Sequence, residues 1–217
     1  MCFLYEYNES IETGTEMAKE ILYIGGSPCS GKSTIAARIA QDYSAYYFKV
    51  DDYLIEFVME AANKGFCACK KAASMNSDQT WLRNPEEQCE EEFEIYKEIS
   101  ELVFDKLNSI EADLIITEAA AYTPEVMKSI DYSHYICMVP SPEFQIYHYK
   151  QRSWINEILA DCTDKEKAFD NWMQRDILFA RQVIEQCEND GIFCYVNDGS
   201  KNEDEVYDII KKQLGLE

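Results

Sequence analysis

Positive charge is scarce in this sequence. Lysine and arginine together number 20 against 41 aspartates and glutamates, a formal charge of −21 over 217 residues. That balance argues against nucleic acid or an anionic membrane surface as the main partner, because both demand a basic face. Long apolar runs are missing too: no stretch approaches the roughly 20 residues of a membrane span. The opening Met1–Glu6 has no basic segment leading into an apolar one, so no secretory signal is expected. Nine cysteines are present, but their odd number and irregular spacing do not read as a disulfide framework. Only Cys67 and Cys69 lie close together, with no second pair and no nearby histidine to complete a zinc site. Free thiols in a reducing cytoplasm are the expectation. No Pro/Gly linker, repeat or low-complexity tract divides the chain, so 1–217 is expected to form one domain.

Hydrophobic residues make up 47% of the chain and aromatics are plentiful, which is enough to build a core. Five short apolar runs stand out: Ile21–Ile24, Ala45–Val50, Asp113–Thr117, His134–Val139 and Ile192–Val196. They are nearly continuous rather than alternating, as parallel strands covered on both faces require. Helical patterns lie between them, over Lys32–Asp42, Pro85–Ser109, Pro142–Leu159, Lys165–Glu188 and Asn202–Leu214. The clearest, Pro85–Ser109, carries Cys89, Phe93, Tyr96, Val103 and Leu107 on one stripe. Its Glu-rich opposite side, Glu86–Glu94, reads as a solvated face. Strands alternating with helices predict an α/β fold with a mainly parallel sheet.

Between the first strand and the first helix stands Gly26-Ser27-Pro28-Cys29-Ser30-Gly31-Lys32-Ser33, followed by Thr34. It fits G-x-x-x-x-G-K-[ST], and it sits where a phosphate-binding loop must sit. Glycines let backbone N–H groups turn inward around phosphate oxygens, and the helix N-terminus adds partial positive charge. Lys32 is expected to reach the β/γ-phosphates and the Ser33 hydroxyl to bind Mg²⁺. A guanine-reading Asn-Lys-x-Asp is absent, as is the signature loop of a transport ATPase. Phosphoryl transfer to a small molecule remains.

The second strand ends in Asp51-Asp52 and the third in Glu118. Carboxylates at the C-terminal ends of parallel strands face the ligand crevice. There one can accept the proton of an acceptor hydroxyl. Side-chain alternation allows one of the two aspartates to face the phosphate; Asp51 is the favoured base, with Asp52 on substrate or metal-bound water. Glu118 either orders the Mg²⁺ waters, holds substrate or is a buried structural acid.

The stretch Ile21–Leu54, with the loop followed about twenty residues later by Val50-Asp51-Asp52-Tyr53-Leu54, resembles the P-loop small-molecule kinases, nucleoside and nucleotide kinases and the chloramphenicol phosphotransferase type among them. A looser likeness over Asp113–Tyr122 is to uridine- and pantothenate-type kinases. The resemblance implies a three-layer fold with a five-stranded parallel sheet ordered 2-3-1-4-5. It also implies ATP with Mg²⁺, an Asp51 or Asp52 base and a mobile lid after strand four. The expected layout is an acceptor-binding helical insertion over about 53–109 and a lid over about 142–182. Trp81–Pro85 matches no one subfamily.

Of the five arginines, Arg38 and Arg181 have acids four residues on, whereas Arg152 and Arg175 have none three or four residues away. Both fall in the lid region, where a kinase supplies charge to the migrating phosphoryl. They are therefore candidate phosphate ligands. The segment Ala61–Asn84 holds Lys64, Lys70, Lys71 and Arg83 against only Asp78. This local excess suggests an anionic acceptor, with Arg83 among its ligands. Asp198-Gly199-Ser200 is expected either beside the adenine or as a plain turn. The reading is thus an ATP-dependent phosphotransferase with a small-molecule acceptor. A non-catalytic ATP-binding sensor, or an antibiotic- or toxin-type kinase, stands as the alternative; the oligomeric state is left open.

Overall fold

The structure, a computed structural model, describes residues 19–216. The expectation about Met1–Glu6, and Cys2 with it, lies outside the described residues. In chain order the elements are β1 (Glu20–Gly25), α1 (Lys32–Asp42), β2 (Tyr46–Lys49), a 3₁₀ turn (Val50–Tyr53), α2 (Leu54–Lys64), α3 (Cys67–Ser74), α4 (Ser77–Trp81), α5 (Pro85–Asn108), β3 (Leu114–Glu118), α6 (Pro124–Met127), β4 (His134–Pro140), α7 (Pro142–Tyr149), α8 (Ile155–Ile158), α9 (Lys165–Asp190), β5 (Cys194–Asn197) and α10 (Glu203–Gln213). The strands form one sheet in the order β2-β3-β1-β4-β5, and every pairing is parallel.

Alternate strand residues feed two cores, which explains why the apolar runs are continuous. Leu22, Ile24, Ile116, Ile136 and Met138 pack with Ile35 and Ile39 of α1 and with Val206 and Ile210 of α10. Tyr23, Ile115, Cys137 and Val139 face the opposite way, onto Phe93, Ile99 and Val103 of α5 and Phe179 and Val183 of α9. Each fully buried Leu, Ile or Phe contributes about 1.5–3 kcal/mol relative to exposure. All five stripe residues read from α5 are buried.

Local chemistry sets the helix ends. Asn84 accepts hydrogen bonds from the Glu86 and Glu87 amides ahead of Pro85 at the first position of α5. Asp164 accepts from the Lys167 amide at the start of α9, and Gly191 closes that helix at φ 67°. One expected helix is interrupted. Pro142–Leu159 stops at Tyr149, because tight turns (Arg152 N–H to Tyr149 O, Ile155 N–H to Arg152 O) take over before α8. The interruption lets Arg152 fold back over the Tyr149 ring. Around it lies a third, smaller core of Tyr149, Ile155, Leu159, Trp172 and Met173, packed against Cys29 and Trp81. No helix among the described residues is long and apolar enough to cross a membrane.

Candidate active site

The loop between β1 and α1 is shaped by backbone demands that few residues meet. Gly26 has φ 108°, and a Cβ there would come 2.0 Å from the Met138 carbonyl oxygen. Only glycine fits so close an approach. Gly31 also lies in the left-handed region at φ 94° and heads α1. Cys29 adopts φ 64°, one of two such non-glycine positions among the described residues. The Lys32 ammonium, on a residue only 6% exposed, donates to the Ser27 carbonyl at 2.7 Å and the Gly26 carbonyl at 3.2 Å. Ser30 Oγ is buried with no hydrogen-bond partner. A buried cation resting on backbone carbonyls beside an orphaned hydroxyl and a helix N-terminus suits an oxyanion.

The carboxylates converge from neighbouring strand ends. Register pairs Ile24 of β1 with Glu118 of β3, which sets Glu118 beside the loop. Glu118 Oε1 accepts from Ser33 Oγ at 2.9 Å and from the Tyr47 hydroxyl at 3.1 Å. Asp51, on the 3₁₀ turn, opens onto the same cleft with Lys32, Ser33 and Glu118. Its carboxyl is raised above the ordinary range, first by desolvation and then by the Glu118 charge, with Lys32 and Lys49 opposing. Asp51 is exposed where it meets the cleft. Asp52 does not join it. That side chain is 65% exposed and lies 3.7 Å from the Lys49 ammonium, because successive residues of the turn point different ways. The cleft-facing aspartate is Asp51.

The cleft itself measures about 610 Å³ and is walled by Pro28–Thr34, Asp51, Glu118, Arg152 and Arg175. The two arginines differ sharply. Arg152 lies over the Tyr149 and Trp154 rings, at 4.7 and 5.5 Å from their centroids, and donates to Cys29 Sγ at 3.4 Å. Burial raises the Cys29 thiol, so it accepts as a neutral group. Among the described residues Arg152 has no acidic partner within ion-pair distance. Arg175 is committed elsewhere. It contacts Asp176 at 2.7 Å and Glu92 at 2.9 Å. Burial would lower its pKa, but these two acids hold it above the ordinary arginine value. Arg175, expected as a phosphate ligand, does line the cleft, but the neighbouring Asp176 and the distant Glu92 already meet its charge. Asp176 also accepts from the Tyr149 hydroxyl at 3.1 Å, and its backbone carbonyl from Ser27 Oγ at 3.4 Å. The cluster thereby ties α9 to the phosphate loop.

Three of the four positive charges of Ala61–Asn84 are met locally, Lys70 being the exception. Arg83 makes a two-pronged pair with Glu91 at 3.0 and 3.1 Å, Lys71 joins the same carboxylate, and Lys64 pairs with Glu60 at 2.9 Å. Glu91 is therefore not part of a solvated face; Arg83 and Lys71 hold its carboxyl below the usual range against the upward push of burial. Across the loop from the carboxylates, a second recess of about 320 Å³ is lined by Gly31, Thr34, Phe144, His148, Asn197 and Lys201. Asn197 donates to the Ser30 carbonyl at 3.0 Å, and Gly199 packs on the Phe144 ring. The Asp198–Ser200 turn thus stands at the edge of this recess.

The shikimate kinase of Bacteroides thetaiotaomicron matches with a TM-score of 0.52 at 13% identity, over 91% of this chain and 99% of its own. The fold is that of the P-loop small-molecule kinases. A deoxyadenosine kinase from M. mycoides, solved with bound dATP, gives 0.48 at 14% identity over 90% and 99%. A gluconokinase from Sinorhizobium meliloti gives 0.47 at 11% over 92% and 93%. Neither of these scores carries weight beyond the first. No protein-family model matches the chain, and no curated protein matches it significantly.

Tyr47, Glu92, Tyr149, Asp176 and Asn197 were not singled out from sequence. Each acts through a partner far along the chain, and only the placement of Asp176 next to Arg175 was there to be read.

Proposed function

We propose that the protein transfers the γ-phosphoryl of ATP to a hydroxyl of a small-molecule acceptor. The observation that carries this reading is the convergence on one cleft of the Lys32 cradle, Asp51 with its raised carboxyl, and Arg152 lacking an acidic partner. A non-catalytic sensor has no need of a base at that position.

The cradle fits a polyphosphate: its glycine approaches leave room for oxygens, and Ser30 Oγ offers an unused donor. Lys32 would leave the two loop carbonyls for the β/γ-phosphates. The base of the nucleotide would occupy the recess between Thr34, Phe144 and Asn197. Among the described residues no three acidic, histidine or cysteine side chains form a metal site of their own. The donor set nevertheless suits Mg²⁺, which takes one or two protein oxygens plus phosphate oxygens and water. Ser33 would be the ligand, with Glu118 orienting its hydroxyl and its waters. When bound, the cation neutralises charge on the phosphate oxygens.

Asp51 would accept the acceptor's hydroxyl proton. The hydroxyl oxygen then bonds to the γ-phosphorus as the bond from that phosphorus to the β–γ bridging oxygen breaks, and ADP leaves. Arg152, held only by ring stacking and a thiol, can swing onto the migrating group at little cost. Arg175 acts through position: it holds the α5–α9 wall of the cleft. The test is a coupled ADP-release screen over nucleosides, nucleotides, sugars and apolar alcohols, beside Lys32→Ala and Asp51→Asn. Acceptor-dependent turnover lost in both variants supports the assignment. Turnover that no acceptor raises above basal hydrolysis would overturn it.

A further inference from the structure

Beyond the phosphate cleft lies a separate recess of about 430 Å³, bounded by α2, α3, α4 and α5. The two cavities adjoin, with Leu54, Ile55, Glu92 and Arg175 lining both, and Asp51 lies on the phosphate-cleft side of that border. The walls of the recess are mostly apolar, with Val58, Met59, Ala72, Ala73, Met75 and Ile95, and the polar side chains of Thr80 and Gln88 also line it. The charged residues at its margin cancel. Arg83 is held two-pronged by Glu91, and Arg175 by Glu92 and Asp176. An anionic acceptor would have to compete with Glu91 for the two terminal nitrogens of Arg83, and with Glu92 and Asp176 for Arg175. A cationic one faces the same obstacle from the arginines. At the mouth, Ile55 is 81% exposed and Met59 is half exposed, and Trp154 and Ile158 are exposed on the α8 side of the cleft. Large apolar side chains gathered at the rim of a cavity mark a surface awaiting an apolar partner.

We propose that the acceptor is a hydroxyl compound with an uncharged, apolar body, seated between α2, α3 and α5 with its hydroxyl directed at Asp51. This inference rests on the kinase reading for the fate of the hydroxyl, but the pocket's preference can be measured apart from it. It replaces the anionic acceptor that the lysines of Ala61–Asn84 suggested.

The experiment uses the full chain and the neutral fluorescent dye Nile red as probe, displaced by 4-phenylbutanol or by 4-phenylbutyrate, which differ in charge. ATP affinity is measured in parallel by calorimetry. The expected result is saturable dye binding, displacement by the alcohol at concentrations at least tenfold below the acid, and dye affinity reduced about tenfold or more in Met59→Glu and Ala73→Glu. Met59→Leu should keep the dye, and all three variants should keep the ATP affinity of the parent. Equal or better displacement by the acid overturns the inference. So does a failure to bind dye in protein that still binds ATP, with the kinase reading left standing. Loss of ATP binding by the parent with dye binding intact would instead sink the kinase reading and leave the pocket's preference in place.

Discussion

Replacing Arg175 with methionine separates a structural arginine from a phosphate ligand. Asp176 is buried, the Arg175 side chain is only 12% exposed, and the guanidinium joins Asp176 and Glu92 at 2.7 and 2.9 Å. Removing one partner of such a pair leaves an uncompensated buried charge, which costs about 3–5 kcal/mol. For a domain of this size each kcal/mol lowers the melting temperature by about 2–4 °C, so the expected drop is roughly 6–20 °C. The loss should depend on pH. Burial already raises the Asp176 carboxyl above its ordinary range even beside Arg175, and removing the cation raises it further. A group with a raised folded pKa contributes its stability in full below the unfolded value and loses it as pH rises through the folded one. The variant's deficit should therefore be smallest in acid and grow toward neutrality. Thermal unfolding followed by tryptophan fluorescence between pH 5 and 8 reads this directly, since Trp81 and Trp172 stack beside the cluster. Arg175→Met combined with Asp176→Asn should recover part of the loss. An unchanged melting temperature at neutral pH, together with weakened ATP binding, would refute the structural role and return Arg175 to the phosphates.

Asp51→Asn should lower phosphoryl transfer by about 10²–10⁴-fold while leaving the melting temperature equal or higher. Its carboxyl is raised in the fold, so ionised Asp51 weakens stability above its unfolded pKa, and the amide removes that penalty; a lowered melting temperature would contradict this. Arg152→Met should reduce kcat by about 10²–10³-fold with little change in thermal stability, because a single sulfur contact and ring stacking are all that hold it. Steady-state kinetics beside a melting curve separates the two. Gly26→Ala should abolish ATP binding in calorimetry and destabilise the fold, since the added Cβ would lie 2.0 Å from the Met138 carbonyl at a φ that alanine avoids.

How far the sequence spoke depended on the range of each interaction. β1, β2, β3, β4 and β5 lie within about two residues of their apolar runs, because burial on both faces writes itself into consecutive positions. The loop Gly26–Ser33 was legible for a similar reason: backbone geometry and chemistry there depend on neighbours in the chain. The strand order came from the resemblance and not from any pattern of residues. The partners of Arg175 were hidden because helix spacing looks only three and four residues away, whereas they are the adjacent Asp176 and Glu92 on α5. The pairing within the basic island was hidden likewise: Lys71 and Arg83 find Glu91 only when α3 and the Arg83 turn pack on α5. The apolar pocket was invisible because α2, α3 and α4 are short, and their pairing about α5 is purely tertiary.

In the proposed reaction Asp51 delivers an acceptor hydroxyl to a phosphoryl group held by Lys32. That step is tested most directly by incubating the protein with ATP labelled at the γ-phosphate and an apolar alcohol, then partitioning the label between organic product and inorganic phosphate. Label in an alkyl phosphate is expected for the parent, and none above background for Lys32→Ala or Asp51→Asn. Label found solely as inorganic phosphate across the acceptor series, or transfer undiminished in Asp51→Asn, would contradict it.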